Sequence, residues 1–240
     1  MRVIPAIDLR DGKCVRMRQG DPTTSTVYDE DPVERAKAFV DAGASMLHVV
    51  DLDSAFGLGE NFRAIENICK SVDVPVQTGG GIRTIDHAKA RLDAGAAAII
   101  LGTLLVEEER VARNIIARFG DAVIAGIDAR GDMVMTRGWQ EGTPVNRDAL
   151  IKRVAAWGVR RVIFTEVGRD GMGHGYDIEA LRHIATLTEL PITASGGAKT
   201  LDDLKALRDA KIDAVDSCIV GSALYTGTLD LREALANIEA

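Results

Sequence analysis

Two aspartates and four glycine turns are the features of this sequence that could do chemistry. Asp8 closes the apolar run Val3–Ile7, and Asp128 closes the run Ala122–Ile127. Two carboxylates across one pocket suit general acid and base work when their surroundings push their pKa values apart. Gly79-Gly80-Gly81-Ile82-Arg83 and Ser195-Gly196-Gly197-Ala198-Lys199 each follow an apolar run opened by proline and precede a helical pattern. Such a strand-to-helix turn strips side chains from backbone N–H groups at the positive end of a helix, so it can hold an anion without a cofactor. Gly102-Thr103 and Gly221-Ser222 are the other two turns, and each adds a hydroxyl.

These features recur in one order at nearly half the chain length. Gly80 and Gly196 lie 116 residues apart, Gly102 and Gly221 lie 119 apart, and Asp8 and Asp128 lie 120 apart, in a chain of 240. A period that long is not a solenoid repeat. It implies two half-domains, about 1–120 and 121–240, each contributing an aspartate and a pair of glycine turns. Gly80, Gly81, Gly102 and Thr103 would form one phosphate site, and Gly196, Gly197, Gly221 and Ser222 the other. With the carboxylates between them, the substrate is elongated and carries a phosphate at each end.

Other residues could serve the same site. Asp170, in Arg169-Asp170-Gly171, is a third acidic candidate and follows Thr165. Lys13 to Met17 alternates like a small hairpin strand, which would fold Arg16 back over the end of the first strand. The span Asp128–Val145 is long for a connector and holds Arg137, Gly138 and Trp139. A tryptophan there can stack on a flat heterocycle and exclude water on closure. His48, His87, His174 and His183 show no ligand spacing, so no metal is expected. His48 reads as a hydrogen-bonded core histidine, and Cys14 as packing.

The elements that must position these residues alternate throughout. Strands are expected at Val3–Ile7, Met46–Val50, Val74–Thr78, Ala97–Leu101, Ala122–Ile127, Arg161–Thr165, Leu190–Ala194 and Ser217–Val220. Between them Asp31 should cap a helix with Glu34 closing a capping box and Val33, Ala36 and Val40 buried. Thr84 and Thr200 should cap two more, and further helices are expected at 147–157 and 178–187. Eight strands alternating with eight helices predict a single (β/α)₈ barrel with a twofold half-barrel repeat. Closure would gather Asp8, Asp51, Gly80, Gly102, Asp128, Thr165, Gly196 and Gly221 on the rim at the strands' C-terminal ends, where barrels carry their active sites.

Composition agrees. Hydrophobic residues make up 46% of the chain and aromatics only 4%, as suits parallel strands buried on both faces by Val, Ile, Leu and Ala. A net charge of −7 without a Lys/Arg cluster argues against a nucleic-acid surface. No apolar run is long enough for a membrane helix and no signal-peptide profile precedes the first strand. Three widely spaced cysteines argue against disulfides. A cytoplasmic monomer is expected, acting on a small molecule with no obligatory protein partner, no nucleic acid and no membrane.

Several longer motifs then carry a resemblance. Ile4-Pro5-Ala6-Ile7-Asp8-Leu9-Arg10-Asp11-Gly12-Lys13, His48-Val49-Val50-Asp51-Leu52-Asp53, Gly79-Gly80-Gly81-Ile82-Arg83, Asp128-Ala129-Arg130 and Arg137-Gly138-Trp139-Gln140 closely resemble the phosphoribosylformimino-5-aminoimidazole carboxamide ribotide isomerase family of histidine biosynthesis. The resemblance implies a cofactor-free (β/α)₈ barrel that converts an aminoaldose to an aminoketose by an Amadori rearrangement. It implies Asp8 as the base that takes the C2 proton and Asp128 as the acid on the ring oxygen, with Asp170 able to share the acid role and Thr165 beside them. Arg16, Asp51, Arg83, Arg137 and Trp139 are the expected substrate contacts. The pattern departs at Glu166, where the family has aspartate, and at Tyr176-Asp177. Rival readings are the cyclase subunit of imidazole glycerol phosphate synthase, against which Arg137-Gly138-Trp139 argues, an isomerase that also serves phosphoribosyl anthranilate, and a non-catalytic phosphosugar-binding barrel.

Overall fold

The computed structural model describes residues 1–18 and 21–239. Strand β1 (Arg2–Arg10) leads through a hairpin of β2 (Lys13–Arg18) and β3 (Asp21–Asp29) into helix α1 (Pro32–Asp41). Then come β4 (Leu47–Asp51), a short α2 (Leu52–Phe56) and α3 (Phe62–Ser71); β5 (Val76–Gly79) and α4 (Ile85–Asp93); β6 (Ala98–Leu101), a short α5 (Leu104–Glu107) and α6 (Glu109–Phe119). The second half runs β7 (Val123–Arg130), a hairpin of β8 (Met133–Thr136) and β9 (Glu141–Asn146), α7 (Arg147–Trp157), β10 (Arg161–Glu166) and α8 (Ile178–Ile184). It ends with β11 (Ile192–Ser195), α9 (Leu201–Asp209), β12 (Val215–Val220), a short α10 (Ser222–Tyr225) and α11 (Leu231–Ile238).

Eight strands pair in parallel in the order β1, β4, β5, β6, β7, β10, β11, β12, and β12 returns to β1. That closes a (β/α)₈ barrel. Because side chains alternate across each strand, the barrel has two apolar layers. Ile4, Ala6, Ala98, Ile124, Ile163 and Ile219 fill its interior. The neighbouring positions, such as Val3, Ile7, Leu47, Val49, Ile127 and Phe164, pack outward under the helices.

The differences from expectation are local. The connector after β1 contains two strands where one was expected, and the connector after β7 contains a hairpin where none was. Three short helices, α2, α5 and α10, were not anticipated, since one turn carries too little periodicity to register. Helix α8 stops at Ile184, short of Leu187. Helix α1 buries Pro32, Ala36 and Phe39, one step round from the expected Val33 and Val40, because 32, 36 and 39 share a face at helical spacing. Asp31 caps α1 as expected, accepting from Val33 N at 2.8 Å and Glu34 N at 3.2 Å. Glu34 instead pairs with Lys37, and the capping box forms at Thr200 with Asp203.

Candidate active site

Strand alternation decides which rim residues face the pocket. Asp8 shares the inward face of β1 with Ile4 and Ala6, Asp128 that of β7 with Ile124, and Thr165 that of β10 with Ile163. Asp51 has the opposite parity, on the outward face of β4 with Leu47 and Val49.

Asp8 is paired. Arg16, on β2, folds back over the end of β1 as its hairpin position predicts, and its Nη1 donates to Asp8 Oδ2 at 2.5 Å while Nη2 donates to the Ala6 carbonyl at 2.9 Å. Burial raises the Asp8 pKa, and the Arg16 charge and hydrogen bond oppose that rise.

Asp128 has neutral partners. Burial raises its pKa too, opposed by hydrogen bonds from Trp139 and from the Thr165 hydroxyl. Trp139 reaches it from the turn between β8 and β9, where three successive residues take left-handed backbone angles: Arg137 at φ +53°, Gly138 at +63° and Trp139 at +70°. Non-glycine residues with such angles persist only where their surroundings over-determine them. Here Arg137 N donates to Thr103 Oγ1 at 2.9 Å, its guanidinium donates to both Glu107 carboxylate oxygens at 2.9 and 3.2 Å, and Gly138 lies flush on Phe56 of α2.

Asp170 sits in the connector after β10, its N–H bonded to the Glu166 carbonyl. Burial pushes its pKa up to about 6; Arg16 opposes the shift, while the Asp8 and Asp128 charges add to it. Three carboxyls therefore share one field at the barrel mouth.

The glycine turns are required by close approach. A β-carbon on Gly80 would stand 2.2 Å from the Asp51 carbonyl oxygen, and one on Gly197 would stand 2.2 Å from that of Gly175. Gly102 and Gly221 each open one of the matched short helices: Leu105 N bonds the Gly102 carbonyl at 2.9 Å, and Leu224 N bonds that of Gly221 at 3.1 Å. Thr103 and Ser222 thus stand at equivalent one-turn helix starts, and Ser222, after the eighth barrel strand, is in the place where barrels commonly hold phosphate. The Thr103 hydroxyl is engaged by the β8–β9 turn.

Three of the expected substrate contacts have protein partners in this structure. Asp51 is fully buried, and its carboxylate accepts from Ser54 N, from the Asn61 backbone and side chain, and from Arg91 Nη2 at 2.6 Å. It therefore leaves the predicted rim and organises the loop after β4. Arg83 is exposed and donates to the Gly81 and Ser54 carbonyls. Arg137 binds Glu107 on the outside of its turn. Glu166, the departure from the family pattern, points outward like Asp51 and occupies the equivalent place in the second half; its two carboxylate oxygens accept from Gly168 N at 3.1 Å and Gly131 N at 3.3 Å. His48 is hydrogen-bonded to Gln77 at 3.1 Å, and burial with the Arg16 charge drives its pKa down to about 3, so it is neutral. Arg91, Asn61, Glu107 and Tyr225 were not singled out from sequence, since nothing in their spacing marks them.

A family model described as histidine biosynthesis protein matches residues 2–230. Among curated relatives, one from Gloeothece citriformis is 45% identical over 236 residues, covering 98% of this chain and 92% of the relative. One from Desulforudis audaxviator is 43% identical over 237 residues, covering 98% and 90%. One from Nitratidesulfovibrio vulgaris is 42% identical over 242 residues and covers both chains fully. Each is named 1-(5-phosphoribosyl)-5-((5-phosphoribosylamino)methylideneamino)imidazole-4-carboxamide isomerase.

Proposed function

The chain belongs to the histidine biosynthesis protein family and is an isomerase of that pathway; within that activity we propose that Asp8 is the general base and Asp128 the general acid. The substrate is the bis-phosphorylated aminoaldose of the relatives' name, and the product is its aminoketose. Asp128 gives a proton to the ring oxygen as the C1–O bond opens, leaving a protonated imine at C1. Asp8 takes the C2 proton, and the electron pair of that C–H bond becomes the C1–C2 double bond of an enolamine. The enolamine gains a proton at C1 and gives up its O2 proton, which returns both carboxyls to their starting states.

One observation carries the assignment of roles. Asp8 has an arginine on its carboxylate and Asp128 has none, so the surroundings favour ionised Asp8 and a more readily protonated Asp128. Asp170 is ranked behind Asp128 as acid, because Asp128 alone is matched to Asp8 by the half-barrel repeat. The phosphates occupy the two sets of glycine turns, with Thr103 and Ser222 donating their hydroxyls. The Thr103 hydroxyl can donate to a phosphate at the first set while still accepting from Arg137 N, which ties that phosphate to the β8–β9 turn, and Trp139 at that turn stacks on the imidazole. The enzyme works in the cytoplasm as a monomer, without a cofactor; among the described residues no helix is long and apolar enough to cross a membrane.

The test is turnover of the aminoaldose by Asp8→Asn and Asp128→Asn. Each should lose about 10²- to 10⁴-fold in kcat while still binding substrate. Full turnover by both would overturn the assignment.

A further inference from the structure

Arg16 is a long side chain with many free rotamers, yet its guanidinium must stay on Asp8 for that carboxylate to remain the ionised partner. Its own hydrogen bonds do not fix it fully: Arg16 Nε is buried and meets no acceptor among the described residues. Tyr225, at the end of α10, supplies the rest. The Arg16 guanidinium carbon stands 4.9 Å from the centre of the Tyr225 ring. The Tyr225 hydroxyl donates at 3.0 Å to the Ala6 carbonyl, the same oxygen that receives Arg16 Nη2.

The ring is itself clamped. Tyr28 and Phe39 meet it edge-on at 5.4 and 5.9 Å, and Arg35, tied to Asp29 through two hydrogen bonds, stands 5.4 Å from its centre. On the other side the guanidinium lies against Gly221, where a β-carbon would fall 2.4 Å from Arg16 Nη2. Arg16 therefore runs through a slot between a fixed aromatic face and a bare backbone, and its end emerges on Asp8.

We propose that Tyr225 is a positioning residue, whose ring and the side-chain-free Gly221 form a slot that holds the Arg16 guanidinium on Asp8. Tyr225 touches neither reacting carbon. It acts through Arg16, and it lies one turn beyond Ser222, so the helix that opens at the second phosphate site also orients the partner of the base. The significance of Asp8 as a base rests on the function proposed above; the slot does not.

The charged groups around Asp8 and Arg16 define the readout. Asp8 faces Arg16 from β2 and Asp170 from the connector after β10; Arg16 in turn faces Asp170, Tyr225, Cys14 and His48. Of these Arg16 is the cation, so displacing it raises the proton affinity of Asp8. Carbon-detected NMR titration of the Asp8 carboxyl in the full-length free enzyme follows this without turnover. Tyr225→Leu should move the Asp8 titration upward and lower kcat/KM by about ten- to thirtyfold, the range of a partly to fully desolvated cation–π contact. Tyr225→Phe keeps the ring and should titrate as wild type. Gly221→Ala, which pushes the guanidinium from the other side, should move Asp8 upward as Tyr225→Leu does, and it keeps the test open should Tyr225→Leu not fold. In an Arg16→Met background, Tyr225→Leu should add nothing.

A wild-type Asp8 titration in Tyr225→Leu or in Gly221→Ala, a shift in Tyr225→Phe as large as in Tyr225→Leu, or a further shift in the Arg16→Met background would each overturn the proposal. The two proposals fail separately. If Asp8→Asn keeps full turnover while Tyr225→Leu still moves the Asp8 titration, the base assignment falls and the slot stands.

Discussion

The Trp139 indole is the donor that most opposes the burial-driven rise of the Asp128 pKa, so the hairpin that follows the fifth barrel strand bears on the residue proposed as the acid. A donor on a carboxylate favours its ionised form. While the indole stays there, the burial-driven rise in the proton affinity of Asp128 is only partly expressed. When the indole leaves to stack on substrate, burial acts unopposed by that bond and the proton affinity of Asp128 rises. One movement would both cover the substrate and arm the acid.

Trp139→Leu should therefore raise the Asp128 titration in the free enzyme while lowering kcat/KM through lost stacking, by about tenfold for a contact of roughly 1–1.5 kcal/mol. The movement has its own signal. The chain has two tryptophans, so in Trp157→Phe the emission comes from Trp139 alone and should change on adding substrate. Unchanged emission would mean that the indole stays on Asp128.

Asp51 and Arg91 form a buried pair at 2.6 Å, with the Arg91 side chain 7% exposed and that of Asp51 not at all. Taking away one partner of such a pair leaves an uncompensated charge, at about 3–5 kcal/mol. Arg91→Met should lose stability of that order, read from the urea midpoint. Asp51→Asn keeps an acceptor for Ser54 N and the Asn61 side chain but turns a donor toward Asn61 N and leaves Arg91 unpaired, so it should lose a comparable amount. If Arg91→Met unfolds like wild type and instead loses only substrate binding, Asp51 serves the pocket after all.

What the sequence made legible follows the length of the signal. Eight strands, the eight main helices and the glycine turns are each several residues of consistent pattern, and the half-chain repeat marks them twice. Asp8 and Asp128 were legible because an apolar run closes on them in both halves, although the strands themselves continue to Arg10 and Arg130. Asp51 ends a strand as well, but whether a terminal residue faces in or out is a matter of parity, and slipping the count by one residue reverses it. The one-turn helices α5 and α10 are too short for periodicity to register. Tyr225 and Glu107 act across the fold through contacts 209 and 30 residues away in sequence, with Arg16 and Arg137 respectively, and no local pattern encodes such a pairing.

Glu166 bridges the connector that carries Asp170 and the turn that begins the Trp139 hairpin, through Gly168 N and Gly131 N. An aspartate there is shorter by one carbon–carbon bond, about 1.5 Å, and cannot keep both contacts. Glu166→Asp should lose about 1–2 kcal/mol in chemical unfolding, the worth of one charge-assisted hydrogen bond, with kcat/KM reduced by less than about tenfold. Unchanged stability with abolished turnover would make Glu166 part of the chemistry.

Asp170 supplies a pH test with a definite sign. Its pKa in the folded protein is pushed up to about 6, chiefly by burial, whereas an unfolded aspartate titrates near roughly 3.9. Between those values the folded chain binds more protons than the unfolded one, so stability falls as pH rises. The favourable protonated form is present in full below about pH 4 and is lost as pH climbs through about 6. Asp170→Asn removes this penalty, so its melting temperature relative to wild type should be higher at pH 8 than at pH 4. The difference should reach a few degrees, because 1 kcal/mol moves the midpoint of a domain this size by about 2–4 °C. A gain that is equal at both pH values would mean that the Asp170 pKa is the same in the folded and unfolded chain, with the Arg16 charge cancelling the effect of burial, and would remove it as a proton donor near neutral pH.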